Sequence, residues 1–533
     1  MGQYEHALAE YQKALEIDPK ASVVHRSLGY FFLHRPYRVE SRNEKQLEAA
    51  ITEFKKAIEL DPNDSDTHCY LGDALRSKNQ IDDAISELEK AIGLDPKSSE
   101  PHWILGQIYE GKHQLDRSIA EYREGIRLDP KADHLHLWLA MVLRQMGNLQ
   151  ESLEEYRTAE RLASKRPWRA FPLSSYAADV RVAEQVVELE SKLPAILEGK
   201  EKPASDAERL ELASFCRLEF KQLYAASFRF YAEAFANDPK LAADVNSTNR
   251  QEAAWSAVLA GCGKGRDADK LTDKERARMR KQALEWLRAD LTHWTQRATS
   301  DRASDLLQSL ESVLKYWQQT ADLACVRDKD SLEKLPAEER DAWEKLWDDV
   351  EQLRKAEADR WVRLEAKLPD VLAGTATPAD NKERLGLAEL CRWQSRFAAA
   401  TRLYGAVFDA DAQFADDVEH SYRYNAACVA ALGAAGKGKD ADKLDDQARG
   451  RLRKQALEWV RADLALWTKQ ADSDKPDTRV VVQGKMQHWQ RDTDLASVRD
   501  KDALEKLPAE ERDAWRKLWD DVAALIAPTQ EKK

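Results

Sequence analysis

The sequence predicts an all-α chain: a solenoid of stacked helix pairs, then two tandem copies of a second helical module. Three observations predict this. The stretch AAITEFKKAIELDP, residues 49–62, returns as DDAISELEKAIGLDP and DRSIAEYREGIRLDP, so that Pro62, Pro96 and Pro130 follow one another at 34 residues. Farther on, SLEKLPAEERDAWEKLWDDV, ending at Val350, returns as ALEKLPAEERDAWRKLWDDV, ending at Val522. No run of alternating β-branched residues marks a strand. Glycine and proline are scarce, and Ala, Leu, Glu, Lys and Arg dominate, as in helical arrays.

Within the short repeat, small residues stand where two helices must approach closely (Ala50, Ala84, Ser118; Ala57, Ala91, Gly125). A large side chain stands between them (Phe54, Leu88, Tyr122). Each unit offers one apolar stripe that it cannot bury alone, so neighbours must stack. Ala7, Tyr11, Ala14 and Pro19 occupy second-helix positions of a unit whose first helix the sequence lacks, which leads to the expectation of a partial first repeat. The next unit opens with Leu28-Gly29. Its closing Pro62 lies 43 residues after Pro19, and the excess falls in RPYRVESRNEK, residues 35–45, read as a solvated loop insertion carrying Arg35, Arg38, Arg42 and Lys45. Regular units follow at Leu71-Gly72 and Leu105-Gly106. A degenerate one keeps Leu139, Leu143, Tyr156 and Ala159, with Ser164 in place of the closing proline.

With this period and these positions, residues 1 to about 165 resemble the tetratricopeptide repeat (TPR) family. The resemblance implies a right-handed superhelix whose concave groove is lined by the first helix of each repeat. By repeat position that groove takes Arg26 and Tyr30; then Cys69, Asp73 and Arg76; then Trp103, Gln107 and Glu110; then Leu137, Met141 and Arg144. Trp103 is expected to point into the groove as an apolar anchor, with Arg76 and Arg144 bracketing an acidic segment of a partner. Members that bind chaperone tails use Lys and Asn for a terminal carboxylate; Tyr30 and Asp73 stand at such positions here, which argues against that ligand. The early tryptophan of the family is replaced by His25, His68, His102 and His136. Lying a repeat apart, these line up along the stack without converging on a metal, and they read as packing residues.

The long duplication gives copies at about 193–353 and 368–525. DADKL…RKQALEWLRADL around Trp286 matches DADKL…RKQALEWVRADL around Trp459, and ERLELASFCR near Cys216 matches ERLGLAELCR near Cys391. Each copy opens with a degenerate TPR-like helix pair: Tyr231, Ala234 and Pro239 in the first, Tyr404, Val407 and Ala412 in the second. Thr272 and Glu275 signal a helix start. Trp343, Leu346, Trp347 and Val350 share one helical face, and 351–367 reads as a helix joining the copies. The expected domains are thus a TPR array (1–165), a connector with copy one (166–353), a joining helix with copy two (354–526) and a disordered tail (527–533). RYNAAC at 423–428, the GKGKDADKL loop, the RKQALEW helix and the LPAEERDAWRKLW ending resemble the TPR-containing region C-terminal to planctomycete serine/threonine protein kinases. That resemblance implies kinase association, not kinase activity, because no glycine-rich loop, V-A-I-K, H-R-D or D-F-G sequence is present.

GCGKG at 261–265 and AAGKGK at 434–439 lack the Ser or Thr and the preceding strand of a phosphate loop, and read as helix-terminal glycine turns. The sixteen tryptophans lie mostly at helical spacing and read as core. Six scattered cysteines without a CxxC pair read as free, buried thiols, with a reducing cytoplasmic setting as the consequence. A net charge of −12 argues against nucleic acid or an anionic membrane as partner, and no apolar run reaches the ~18 residues of a membrane span. The sequence offers no catalytic, cofactor or metal residues. A repeat-fused glycosyltransferase would need an α/β region where the helical duplication stands. What remains is a non-catalytic scaffold for peptides or helices of other proteins, with a kinase's interaction tail as the alternative. Nothing sets an oligomeric state.

Overall fold

The computed structural model describes residues 2–34, 44–165, 173–244, 247–299, 307–417, 421–471 and 476–526. Among these, every regular element is a helix. Of the expected insertion only Glu44 and Lys45 are described, and they begin a helix; Arg35, Arg38, Arg42 and the tail 527–533 lie outside the described residues. The chain forms two compact units, 1–256 with 263–272, and 257–262 with 273–533.

In the first unit, α1 (Gly2–Ile17) precedes four helix pairs: α2 (Ser22–Leu33) with α3 (Glu44–Leu60), α4 (Ser65–Ser77) with α5 (Ile81–Leu94), α6 (Glu100–Gly111) with α7 (Leu115–Leu128), and α8 (Asp133–Met146) with α9 (Leu149–Ala163). Each second helix packs on its own first helix and on the first helix of the next pair, the stacking of an α-solenoid. The close approach has one cause in each pair. A Cβ on Gly29 would stand 2.6 Å from the Phe54 ring and one on Gly72 2.7 Å from Leu88, while one on Gly106 would overlap the Tyr122 ring. Phe54, Leu88 and Tyr122 are fully buried. Where the small position holds serine, the hydroxyl donates to the carbonyl of the facing helix: Ser118 to Gly106 at 2.8 Å, Ser152 to Ala140 at 2.7 Å. The recurring Asp-Pro stops the second helix. Proline lacks the N–H to continue it, and the aspartate caps the turn, as Asp95 Oδ1 accepts from Lys97 N and Asp129 Oδ1 from Lys131 N, both at 3.0 Å.

Ala7, Tyr11 and Ala14 on α1 are half-buried, whereas their equivalents Ala50, Phe54 and Ala57 are buried. At the other end α10 (Leu173–Leu197) lies on α9, and Tyr176, Val180 and Ala183 join the core of Tyr156 and Ala159. The Tyr176 hydroxyl donates to Asp133 Oδ2 at 2.8 Å. The stack continues through α11 (Asp206–Arg217), α12 (Tyr224–Asn237), the short α13 (Pro239–Ala243) and the first residues of α14 (Asn249–Gly261). The lysine-glycine loop after α14 has a structural task. Gly265, at φ +95°, lets Arg266 N donate to Gln222 O at 2.8 Å, and the Asp267 carboxylate accepts from Ala225 N and Ala226 N at the start of α12.

In the second unit α15 (Asp273–Thr299), α16 (Leu307–Gln319) and α17 (Lys329–Leu332) precede α18, which runs unbroken from Ala337 to Ala373 and includes residues 351–367. Then come α19 (Asn381–Trp393), α20 (Phe397–Ala410), α21 (Ala412–Ala415), α22 (Tyr422–Ala434), α23 (Asp446–Ala471), α24 (Pro476–Arg491), α25 (Lys501–Leu504) and α26 (Ala509–Ile526). Trp343 and Trp515 are buried, while Trp347 and Trp519 are half-buried and donate to Val326 O and Val498 O at 2.7 and 2.8 Å. Gly438, at φ +95°, repeats the loop seen at Gly265: Lys439 N donates to Ser395 O, and Asp440 Oδ2 accepts from Ala399 N at 2.9 Å.

The cysteines require a correction. Cys69, Cys216, Cys391 and Cys428 are free and buried, but Cys262 and Cys325, 63 residues apart, form a disulfide. It ties the end of α14 to the short helical turn Ala321–Val326. The spacing rule looks for clustered cysteines and misses a pair brought together only by tertiary packing. The cysteine argument for a reducing compartment therefore falls.

The Gly–ring contact is the constraint most open to measurement. Gly106→Ala forces a methyl into the Tyr122 ring and should destabilise the array by about 1–3 kcal/mol. Gly93→Ala, on α5 with nothing within 4 Å of a new Cβ, should instead stabilise by about 0.5–1 kcal/mol. Equal effects in denaturant titrations would remove the contact as the determinant of helix spacing.

Candidate functional site

The first helices α2, α4, α6 and α8 carry the residues expected to line a groove, and they divide sharply. Arg26 is held by the next repeat: its Nη1 donates to Asp64 Oδ1 and Oδ2 at 2.8 and 2.7 Å, with Asp66 at 3.5 Å. Tyr30 is 43% exposed and rests against His34 and Tyr70, with ring centroids 4.0 and 5.0 Å away. Arg76 forks onto Asp73 Oδ1 from Nε and Nη2 at 3.0 and 2.5 Å, and Asp73 is buried. Cys69 and Leu137 are buried core residues and leave the groove set. Gln107, Met141 and Arg144 are half-buried, and the Arg144 guanidinium lies 6.0 Å from the Tyr156 ring centroid.

Trp103 also differs from expectation. It is half-buried, and it packs against the cores on both sides, that of Leu88 and Ile104 and that of Tyr122 and Leu135. Its ring meets the edge of His134 at 5.3 Å. Part of its area is therefore structural.

The arginines taken as a bracket for an acidic partner are thus partly spent within the fold. What lacks compensation is negative. Burial, with Asp73 nearby, holds the Glu100 carboxyl above the usual carboxylate range. Burial does the same to Glu110 against a weak hydrogen bond from the Tyr122 hydroxyl at 3.4 Å. Asp179 on α10 is raised by burial although Arg144 opposes it. Neither Glu100 nor Glu110 has an ion-pair partner among the described residues. Glu100 and Asp179 did not stand out in the sequence: the first sits beside Pro101 in an ordinary helix start, and the second is on a helix beyond the repeats.

The four histidines do more than fill space. Nδ1 of His25, His68, His102 and His136 meets Glu53, Glu87, Glu121 and Glu155 at 2.6, 2.6, 2.8 and 2.5 Å. Nε2 of His25, His68 and His136 meets the carbonyl of Pro19, Pro62 and Pro130 at 3.2, 3.0 and 3.5 Å. Each ring ties the first helix of a pair to its second, and three of them also reach the preceding turn. Among the described residues no group of three His, Cys, Asp or Glu converges as a metal site.

Comparison with known proteins agrees with this packing. Residues 42–75 and 72–113 match a family profile described as TPR repeat, and 105–167 and 1–21 match profiles described as tetratricopeptide repeat. The chain thus carries tetratricopeptide repeats across its N-terminal part. Among curated proteins there is no match. Among solved structures, it is similar to a crystal structure of MamA (22% identity over 31% of this chain and 91% of that one, TM-score 0.26). It is also similar to one of YrrB, a TPR protein (14%, 43% and 92%, TM-score 0.25). A third is TTC0263, a thermophilic TPR protein of Thermus thermophilus (16%, 45% and 100%, TM-score 0.24). The repeat assignment rests on the profile matches and the helix packing.

Two opposite pH effects follow. Burial disfavours ionised Glu53 and Glu87, but hydrogen bonds from Lys56 and His25, and from Lys90 and His68, outweigh it and hold both below the usual carboxylate range. Depressed carboxyls contribute stability above their unfolded pKa and lose it as pH falls through the folded one, so the array should weaken in acid below about pH 4.5. Glu100 has the reverse sign, an ionisation cost at neutral pH that vanishes below the unfolded pKa. Glu100→Gln should therefore raise the melting temperature at neutral pH and lose that advantage in acid. A neutral-pH melting temperature that stays the same or falls would contradict uncompensated charge at this position.

Proposed function

We propose that this chain is a non-catalytic interaction scaffold, and that the face formed by α2, α4, α6 and α8 binds a basic peptide or helix of another protein with one apolar anchor. The observation that carries this reading is the imbalance of charge. Arg26 and Arg76 are consumed by Asp64 and Asp73, while Glu100 and Glu110 stay half-buried without a cation. A folded protein gains stability by neutralising such groups, and sites that keep them serve a ligand at the expense of stability. Tyr30, Trp103, Gln107 and Met141 supply the apolar and amide surface beside them, with Arg144 at the far end facing Asp179. Trp103 keeps an anchor role through the part of its ring left accessible.

Nucleic acid and anionic membranes are not the expected partners of a chain with a net charge of −12. Among the described residues no helix is long and apolar enough to cross a membrane. A second reading, that the chain is the interaction region of a planctomycete serine/threonine kinase, is favoured by the RYNAAC, GKGKDADKL and LPAEERDAWRKLW stretches. It goes with a cytoplasmic setting, in which Cys262 and Cys325 would be held reduced.

Selection of displayed random peptides on the immobilised full chain tests the first reading. Enriched peptides should carry Lys or Arg around an aromatic or aliphatic residue. Trp103→Ala should weaken them by about 2 kcal/mol, roughly 30-fold, and Glu100→Gln should weaken them while raising stability. Enrichment of acidic peptides, or unchanged binding to both variants, would defeat it.

A further inference from the structure

The second copy of the module holds a pocket of about 420 Å³, open to solvent on one side, within the span of about 300–1,000 Å³ usual for small-ligand sites. The RYNAAC stretch supplies part of its wall through Tyr424 and Cys428, each 5% exposed. Trp489 stacks on Tyr424 with centroids 5.0 Å apart and planes 10° from parallel. Trp467, Phe397 and the 41% exposed Trp393 extend the aromatic surface towards solvent. The Tyr424 hydroxyl donates to Asp492 Oδ2 at 2.8 Å, and Cys428 Sγ lies 3.8 Å from the same oxygen.

Alignment of the two copies shows how the residues around this space have changed. Where the second copy has Cys428, the first has Trp255, which is 2% exposed. The frame is otherwise kept: Trp489, Trp467, Arg392 and Asp494 correspond to Trp317, Trp294, Arg217 and Asp322. The divergence gathers on the lining, where Gln251, Leu218, Val313 and Thr320 of the first copy stand as Tyr424, Trp393, Lys485 and Asp492 in the second. A void left by losing a tryptophan costs stability in proportion to its size. Filling such a space calls for larger apolar side chains; the second copy instead has Lys485 and Asp492 where the first has Val313 and Thr320, and shares Asp494 with it as Asp322.

The charges on the wall sort themselves. Arg392 is paired with buried Glu389 at 2.8 Å, and Asp492 is engaged by Tyr424 and, at 3.6 Å, by His488. Lys485 and Asp494, of opposite sign, have no ion-pair partner among the described residues. An aromatic wall, an ammonium outside any ion pair and a carboxylate that only the more distant charges of Lys437 and Arg392 attract together fit a small zwitterion with a flat apolar body. We infer that this cavity binds a free aromatic amino acid, its carboxylate on Lys485, its ammonium on Asp494 and its ring against Trp393 and Phe397. The site is separate from the repeat groove, and neither reading depends on the other.

Calorimetric titration of the full chain with L-tryptophan is the test, beside tryptamine and indole-3-propionate, which each lack one charge. L-Tryptophan should bind, and each analogue should bind at least about tenfold more weakly, a loss of one charged contact. Cys428→Trp restores the first copy's residue and should abolish binding with helicity retained. Lys485→Val, also the first copy's residue and on the half-buried mouth, should weaken L-tryptophan but leave tryptamine unchanged. No binding of L-tryptophan at millimolar concentration, tryptamine as tight as L-tryptophan, or wild-type affinity in both variants would each overturn the inference.

Discussion

The close passage of two helices, a glycine or alanine on one against a large ring or leucine on the other, is the constraint on which the repeat array depends. Gly29, Gly72 and Gly106 leave no room for a Cβ because Phe54, Leu88 and Tyr122 already occupy it. In the last pair Ala140 faces the same place, and Ser152 holds it with a hydrogen bond to the Ala140 carbonyl. This spacing sets where each first helix lies and hence which of its residues reach the inner face. The histidine–glutamate bonds repeat the tie at the edge of the pair with polar groups, so each unit is fixed by one apolar and one polar contact of the same two helices.

On that frame the first helices carry acidic groups of two kinds. Asp64 and Asp73 are satisfied by arginines, whereas Glu100 and Glu110 are half-buried without a cation. The cavity of the second copy follows the same logic in a different setting. There Cys428 stands where the other copy has Trp255, and half-buried Lys485 and Asp494 lie on the lining. In both places the proposed ligand is the one whose charges would complete groups that lack an ion pair within the fold.

Much of this was legible in the sequence. The 34-residue spacing of Pro62, Pro96 and Pro130 located the pairs α4–α5 and α6–α7, and the reading of GCGKG and AAGKGK as turns agrees with glycines at φ +75° and +95° in each loop. Burial of Trp343 followed from its helical face. The repeat position named the first helix of each pair, but it could not tell that Cys69 and Leu137 are buried in the core or that Trp103 packs on two core clusters, because side-chain direction depends on the neighbouring repeat. The loss of Arg76 to Asp73 was a missed local signal, since an i, i+3 pair is visible in sequence. The disulfide had a signal of another kind. Cys262 and Cys325 are both absent from the second copy, where Ala435 and Ser497 stand, while Cys216 persists as Cys391. Two cysteines present together in one copy and absent together from the other mark partners that spacing alone does not.

The central claim is that binding belongs to the inner helices and is driven by their unneutralised carboxylates. Hydrogen exchange of the full chain, with and without a basic peptide selected on it, tests this most directly. Slower exchange in α4, α6 and α8, lost with added salt as expected for partly exposed charges, is the result the account predicts. Protection confined to α3, α5 and α7, or unchanged by salt, would contradict it.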